Sequence, residues 1–157
     1  MKQLLTRQVV PISLDEAWTF FSSPRNLSKI TPDYMNFRIT SDVPDVMYEG
    51  LIITYNVSPV LGISVKWVTE ISHAKSKTMF VDNQLVGPYA LWHHQHHFKE
   101  VEGGVEMTDI VTYKMPYGVL GRLLELLVVN KKVKAIFSYR TKKIEELFGI
   151  GSAVVPK

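Results

Sequence analysis

The chain has 157 residues, a net charge of +3, and a composition that is 46% apolar, 11% aromatic and 21% charged. That balance supports a buried core, excludes general disorder and is too mildly basic to argue for nucleic acid as a partner. With no cysteine at all, a disulfide scaffold, a thiolate metal site, an iron–sulfur cluster and a cysteine nucleophile are excluded.

The chain opens on a β-type run, Lys2 to Val10. Arg7 and Gln8 interrupt this region, so it lacks the apolar centre of a signal peptide, and a cytoplasmic location is expected. Ser13-Leu-Asp-Glu16 reads as a capping box, and Leu14, Ala17, Trp18 and Phe21 follow at the spacing of one helix face. Pro24 starts a second short helical segment carrying Leu27 and Ile30, which Thr31-Pro32 ends. The pattern then changes to strands, predicted over Met35–Ser41, Gly50–Val57, Ser64–Ser72, Lys77–Leu85, Ala90–Glu100 and Val105–Met115. Turn signals separate them, including Pro59 with Gly62, the SHAKSK stretch from Ser72, Gly87-Pro88 and Gly103-Gly104. Connections this short favour an antiparallel meander, because parallel pairing needs a crossover of about a dozen residues or more. One long helix, Val119 to Phe148, closes the order before Gly149. Its apolar start, Val119 to Val129, contains Arg122 and Glu125 and is too short to span a bilayer. Residues 1–149 are expected to form a single domain, with 150–157 as a flexible tail.

Several residues in this order are similar to the SRPBCC ligand-binding superfamily, which includes the START and birch-pollen-allergen-like helix-grip domains. The resemblance is closest to bacterial single-domain, cyclase/dehydrase-like members. It rests on Leu14–Pro24, on Trp67, and above all on Gly87-Pro88-Tyr89-x-x-Trp92-x-His94-x-His96-x-Phe98. Thr108-Asp109, Tyr113, Pro116-Tyr117-Gly118 and Ile136-Phe137-x-Tyr139-Arg140 complete it, so that it spans residues 1–149. It implies an α+β helix-grip fold: a seven-stranded curved antiparallel sheet, in the order β-α-α-β6-α, wrapped on the C-terminal helix around an internal cavity. It implies no cofactor and no shared catalytic motif, since such folds host carriers, receptors, cyclases and hydrolases alike.

Side chains alternate faces along a strand. In Tyr89–Glu100, Trp92, His94, His96 and Phe98 share one face, while His93, Gln95, His97 and Lys99 share the other. The aromatic face is expected to point inward. On the next strand Val105, Met107, Asp109, Val111 and Tyr113 share a face, and Arg140 lies on the helix stripe between Phe137 and Ile144. Four polar groups, His94, His96, Asp109 and Arg140, are therefore predicted in one interior. They either close a structural network or line a hydrated cavity, because an unpaired buried charge is very unfavourable. Tyr55, Trp67, Gln84, Tyr89, Trp92, Tyr113 and Phe137 complete the expected ligand-binding set.

His94 and His96 at i and i+2 can share an ion, but only Asp109 or a ligand oxygen is evident as a third ligand, so no metal site is expected. His94, His96 and Asp109 are also the candidates for general acid–base chemistry, although no Gly-x-Ser-x-Gly elbow or phosphate loop accompanies them. The expected function is binding or transport of a hydrophobic small molecule: a lipid, isoprenoid or polyketide-like aromatic. The alternative is a cyclase or hydrolase acting on such a molecule. Lys131, Lys132, Lys134, Arg140, Lys142 and Lys143 make the last helix basic, and Pro59–Ile63 is an apolar hairpin tip. The charges are either a solvated helix face or an attraction to an anionic membrane surface, and the tip is either a pocket gate, a membrane-touching lip or a segment folded back onto the core, so that transient contact with a membrane surface is one expected partner interaction. No protein partner is identified.

Overall fold

The computed structural model describes residues 1–58 and 62–151. Strand β1, Lys2–Val10, leads into helix α1, Leu14–Phe21, and a 3-10 segment, Pro24–Ile30. Strands β2 (Arg38–Ile39), β3 (Ile52–Val57), β4 (Val65–Lys75), β5 (Met79–Val86), β6 (Leu91–Val101) and β7 (Gly104–Lys114) follow. The chain ends in helix α2 (Gly118–Leu124), a π-helical turn (Glu125–Val129) and helix α3 (Asn130–Phe148). The seven strands form one antiparallel sheet in the order β1-β7-β6-β5-β4-β3-β2. The meander runs from β2 to β7, and β1 closes it by pairing with β7, from Lys2 opposite Tyr113 to Val10 opposite Val105.

The helix start follows from its sequence. The Ser13 hydroxyl accepts from the Glu16 backbone N–H, and the Glu16 carboxylate accepts from the Ser13 backbone N–H, so two otherwise unmet donors are satisfied. Trp18 then packs edge-on against Phe80 and Phe98, pinning α1 to the concave face of the sheet.

Three predicted boundaries are corrected. The strand expected over Met35–Ser41 shrinks to Arg38–Ile39, because Asp33–Met35 form a 3-10 turn that left-handed Asn36, φ 46°, terminates. The SHAKSK stretch is not all turn: β4 continues to Lys75, and the reversal is confined to residues around Lys77, φ 57°. His73 therefore stands on a strand. The long helix is interrupted by its π-helical turn, whose last residue, Val129, opens the buried stripe that Val133, Phe137, Arg140 and Ile144 continue along α3.

Two apolar clusters make the core. One gathers Ile53, Tyr55, Trp67, Tyr113, Val133 and Phe137, and the other gathers Trp18, Phe21, Phe80, Phe98, Met107 and Ile144. Among the described residues no helix is long and apolar enough to cross a membrane. Pro59, Val60 and Leu61 of the apolar tip, and 152–157 of the expected tail, lie outside the described residues. Ile63, the last residue of that tip, is exposed.

Candidate functional site

Strand register assembles the polar centre. Pairing of β5 with β6 sets Asp82 opposite His94, and pairing of β6 with β7 sets His96 opposite Asp109. Alternation turns all four side chains to the concave face, so two imidazoles from β6 stand between a carboxylate on each neighbouring strand. Asp82 Oδ2 lies 2.8 Å from His96 Nε2 and 3.2 Å from His94 Nδ1. On the other side, Asp109 Oδ1 lies 3.2 Å from His94 Nε2 and 2.9 Å from His96 Nδ1. The two rings are 3.7 Å apart between centroids. Arg140 reaches down from α3, with Nη2 3.8 Å from Asp109 Oδ1 and 3.5 Å from His96 Nδ1.

This group sits where the two apolar clusters meet. The His96 ring stacks on Phe80 with centroids 4.0 Å apart, and the His94 ring meets the edge of Phe137. His94, His96, Asp109 and Arg140 are all buried, Asp109 and Arg140 at 8% exposure each. Burial alone raises a carboxyl pKa and lowers an imidazole pKa. For Asp109 that desolvation is outweighed by the Arg140 charge and the two histidines, which hold its carboxyl well below the usual range. Asp82 is likewise lowered against its desolvation, by His94 and His96. Desolvation opposes charge on His94, but Asp82 and Asp109 together raise its pKa. For His96 desolvation and the charge on His94 prevail, and its pKa is lowered. The pair is thus electrically inequivalent although it shares both carboxylates.

A cavity of about 160 Å³ opens above the group, between the sheet, the 3-10 segment and α3. Its walls are mainly apolar, with Phe21, Met35, Ile53, Trp67 and Phe137 among them, and Asp82, His94, His96 and Arg140 at its polar end. Of the residues predicted from the sequence, Tyr55, Trp67, Tyr89, Trp92, His94, His96, Phe137 and Arg140 line this space. Asp109 stands behind the histidines and touches them without lining the cavity.

Two predicted binding residues have other surroundings. The Gln84 amide donates to the Tyr89 carbonyl at 2.7 Å and accepts from the Tyr89 N–H at 3.2 Å, clamping the β5–β6 turn. Gly87 makes room for that clamp, since a Cβ there would come within 2.4 Å of Gln84 Oε1. Tyr113 is buried, and its hydroxyl donates to Asn130 Oδ1 at 2.9 Å, tying β7 to the start of α3. Neither side chain borders the cavity.

Asp82 is the functional candidate that sequence reasoning missed. Its signal was available: it shares a strand face with Phe80, an aromatic residue on the expected core side. It also supplies the third ligand atom that the His94–His96 pair lacked, for Asp82, His94 and His96 each offer one such atom within 4.8 Å of the others. The basic run of the last helix divides. Lys131, Lys134 and Lys142 are exposed, whereas Arg140 lies in the interior, the side on which its place between Phe137 and Ile144 put it.

No family model and no curated protein matches the chain. Solved structures do. Protein CV1439 of Chromobacterium violaceum superposes with a TM-score of 0.71 at 8% identity, covering 95% of this chain and 99% of its own. Protein Ms6760 of Mycobacterium smegmatis gives 0.67 at 18% identity, over 92% of this chain and 89% of its own. Major latex-like protein 151 of Panax ginseng gives 0.64 at 12% identity, over 94% of this chain and 97% of its own. At these identities the likeness is one of fold. It bears out the fold that the sequence resemblance implied: the chain has the α+β helix-grip fold.

Proposed function

We propose that the chain binds a small molecule with an apolar body and an oxygen-bearing polar end, and carries or presents it. The observation that supports this most is a mainly apolar cavity that ends on the polar side chains of Asp82, His94, His96 and Arg140. A polar group left without a partner in such a place costs about 1–3 kcal/mol, so a guest with an oxygen-bearing polar end is favoured over a purely apolar one.

Size narrows the ligand classes expected from the sequence. An apolar protein cavity of ~150 Å³ holds a benzene molecule, and this one measures about 160 Å³. A single-ring aromatic or a short isoprenoid suits it. Because a guanidinium binds carboxylate and phosphate well, an anionic end is favoured. The test is thermal denaturation with paired monocyclic carboxylates and their neutral amides, alongside native mass spectrometry of the purified protein. Arg140→Ala should weaken the carboxylates far more than the amides. Equal losses, or no shift with any member and a bare mass, defeat the reading.

One observation favours an enzyme as the second reading. His94 Nε2 hydrogen-bonds Asp109 at 3.2 Å while its ring borders the cavity, which is how a general base is oriented. Turnover of a model ester or polyketone that disappears in both His94→Ala and His96→Ala would replace the carrier reading.

A cytoplasmic carrier also has to load, and transient contact with an anionic membrane surface is part of the proposal. Tyr117, Val119, Leu120, Leu123, Leu126 and Leu127 are exposed together on and around α2, Val119 at 84%. Exposed Lys114 precedes this patch, and exposed Lys131 and Lys134 follow it, a charge pattern complementary to acidic headgroups. Sedimentation with phosphatidylserine-containing vesicles should be salt-sensitive and lost in Leu120→Ser/Leu123→Ser. No difference between acidic and neutral vesicles counts against it.

A further inference from the structure

We infer that Asp82, His94 and His96 form a binding site for one divalent transition-metal ion, with an open coordination position toward the cavity. Three observations converge on it. The first is donor chemistry: two imidazoles and one carboxylate suit zinc or cobalt, and are the protein ligands of sites that keep a position for a further oxygen.

The second is distance. Ligand atoms bound tetrahedrally at about 2.0–2.1 Å from zinc are ~3.3 Å from one another. Asp82 Oδ2 lies 3.2 Å from His94 Nδ1 and 2.8 Å from His96 Nε2, both within about half an ångström of that spacing, and all three ligand atoms lie within 4.8 Å of one another, so side-chain adjustment brings them into a coordination shell.

The third is hydrogen bonding. His94 Nε2 is hydrogen-bonded to Asp109, and since a carboxylate only accepts, the proton of a neutral His94 belongs on Nε2. That leaves the Nδ1 lone pair facing the Asp82 carboxylate at 3.2 Å, a repulsive contact unless a proton or a metal ion lies between them. A metal ion relieves it. Nδ1 of His94 and Nε2 of His96 become ligands; Nε2 of His94 is already hydrogen-bonded to Asp109 Oδ1 at 3.2 Å, while Nδ1 of His96, 2.9 Å from the same oxygen and 3.5 Å from Arg140 Nη2, takes up the ring proton that His96 otherwise holds toward Asp82. Metal-bound histidines almost always have such an outer partner on the second nitrogen. Arg140 beside Asp109 offsets the charge of that outer carboxylate. With both carboxylates ionised, an ion of charge +2 and Arg140 leave the centre at net +1. The open position therefore favours an anionic oxygen, such as a carboxylate, a phenolate or an enolate.

The rival explanation for the short contacts is a proton on His94 with no metal. The experiment that separates them uses the metal alone: protein stripped with chelator and exchanged into chelator-free buffer near neutral pH, titrated with zinc by calorimetry and with cobalt by absorption. The expected result is one ion per chain and tetrahedral-type cobalt bands. Asp82→Asn should weaken binding at least 100-fold, and Asp109→Asn about 10–100-fold. His93→Ala/His97→Ala, which alters histidines on the opposite strand face, should leave it unchanged. X-ray absorption of the zinc-loaded wild type should show two imidazoles with the remaining ligands oxygen, independently of how any variant folds. A small hydroxamate should shift the cobalt bands if the fourth position is open, and unchanged bands overturn that part. Absence of binding to the folded wild-type protein overturns the site, as does binding that survives Asp82→Asn and disappears with His93 and His97. No organic ligand enters these measurements, so their failure leaves the carrier reading standing.

Discussion

Replacing Arg140 with methionine removes a buried cation while keeping most of its volume. Its partner Asp109 remains, 8% exposed, with its nearest carboxylate oxygen 3.8 Å from the lost guanidinium. At an effective dielectric of 20, unit charges at that separation interact by roughly 4 kcal/mol. Removing one member of a buried pair costs about 3–5 kcal/mol when the other charge is stranded. Asp109 also touches His94 and His96, which take up part of the loss. The expected destabilisation is therefore about 3 kcal/mol. Urea unfolding followed by circular dichroism reads it as a lower midpoint with an unchanged slope. A double-mutant cycle isolates the cause: Asp109→Asn in the Arg140→Met background should recover a substantial share of the loss. A coupling energy below about 0.5 kcal/mol would show that the two sites are independent and refute the electrostatic account of the interior.

Other consequences are simpler to read. Ile144→Ala, at a position 1% exposed between α3 and the sheet, should cost about 2–5 kcal/mol in the same assay. Gln84→Ala and Gly87→Ala both break the clamp on Tyr89. Each should cost roughly 1–2 kcal/mol, and the double variant should cost little more than the larger single one. Ser13→Ala removes the helix cap and should lower stability by about 1 kcal/mol. Because the Ser13 hydroxyl donates to the Glu16 carboxyl and holds it below its ordinary value, that part of the cap is full above the unfolded pKa of Glu, near ~4.3, and is lost as pH falls through the lowered folded value, while the bond from the Glu16 N–H to Ser13 does not titrate. The gap between wild type and Ser13→Ala should therefore narrow in acid and stay constant at neutral pH.

Much of the fold was legible because local rules act on short stretches. The capping box marked the start of α1 to the residue, and alternation along β6 and β7 assigned Trp92, His94, His96, Asp109 and Tyr113 to the interior side. Where backbone detail overrode pattern, the reading slipped. Asn36 and Lys77 adopt left-handed conformations that no apolar period announces, and they moved the ends of β2 and β4. Asp82 escaped notice because a lone carboxylate on a strand resembles a solvent-facing residue until its cross-strand partner is known. Gln84 and Tyr113 pointed to the correct face, but their hydrogen-bond partners are set by the turn at Gly87 and by the approach of Asn130.

The sequence by itself determined the elements, their antiparallel order and the unusual polarity of the concave face. Those properties follow from periodicity, caps and turn residues, each readable within one segment. Only the tertiary structure decided what that polarity is. Register between three strands brought Asp82, His94, His96 and Asp109 to within 2.8–3.2 Å across the shared contacts, and packing of α3 lowered Arg140 onto them. Register and helix docking are fixed by long-range burial of apolar side chains, so no single segment carries them. They alone turn five scattered polar residues into one charged centre at the end of an apolar cavity.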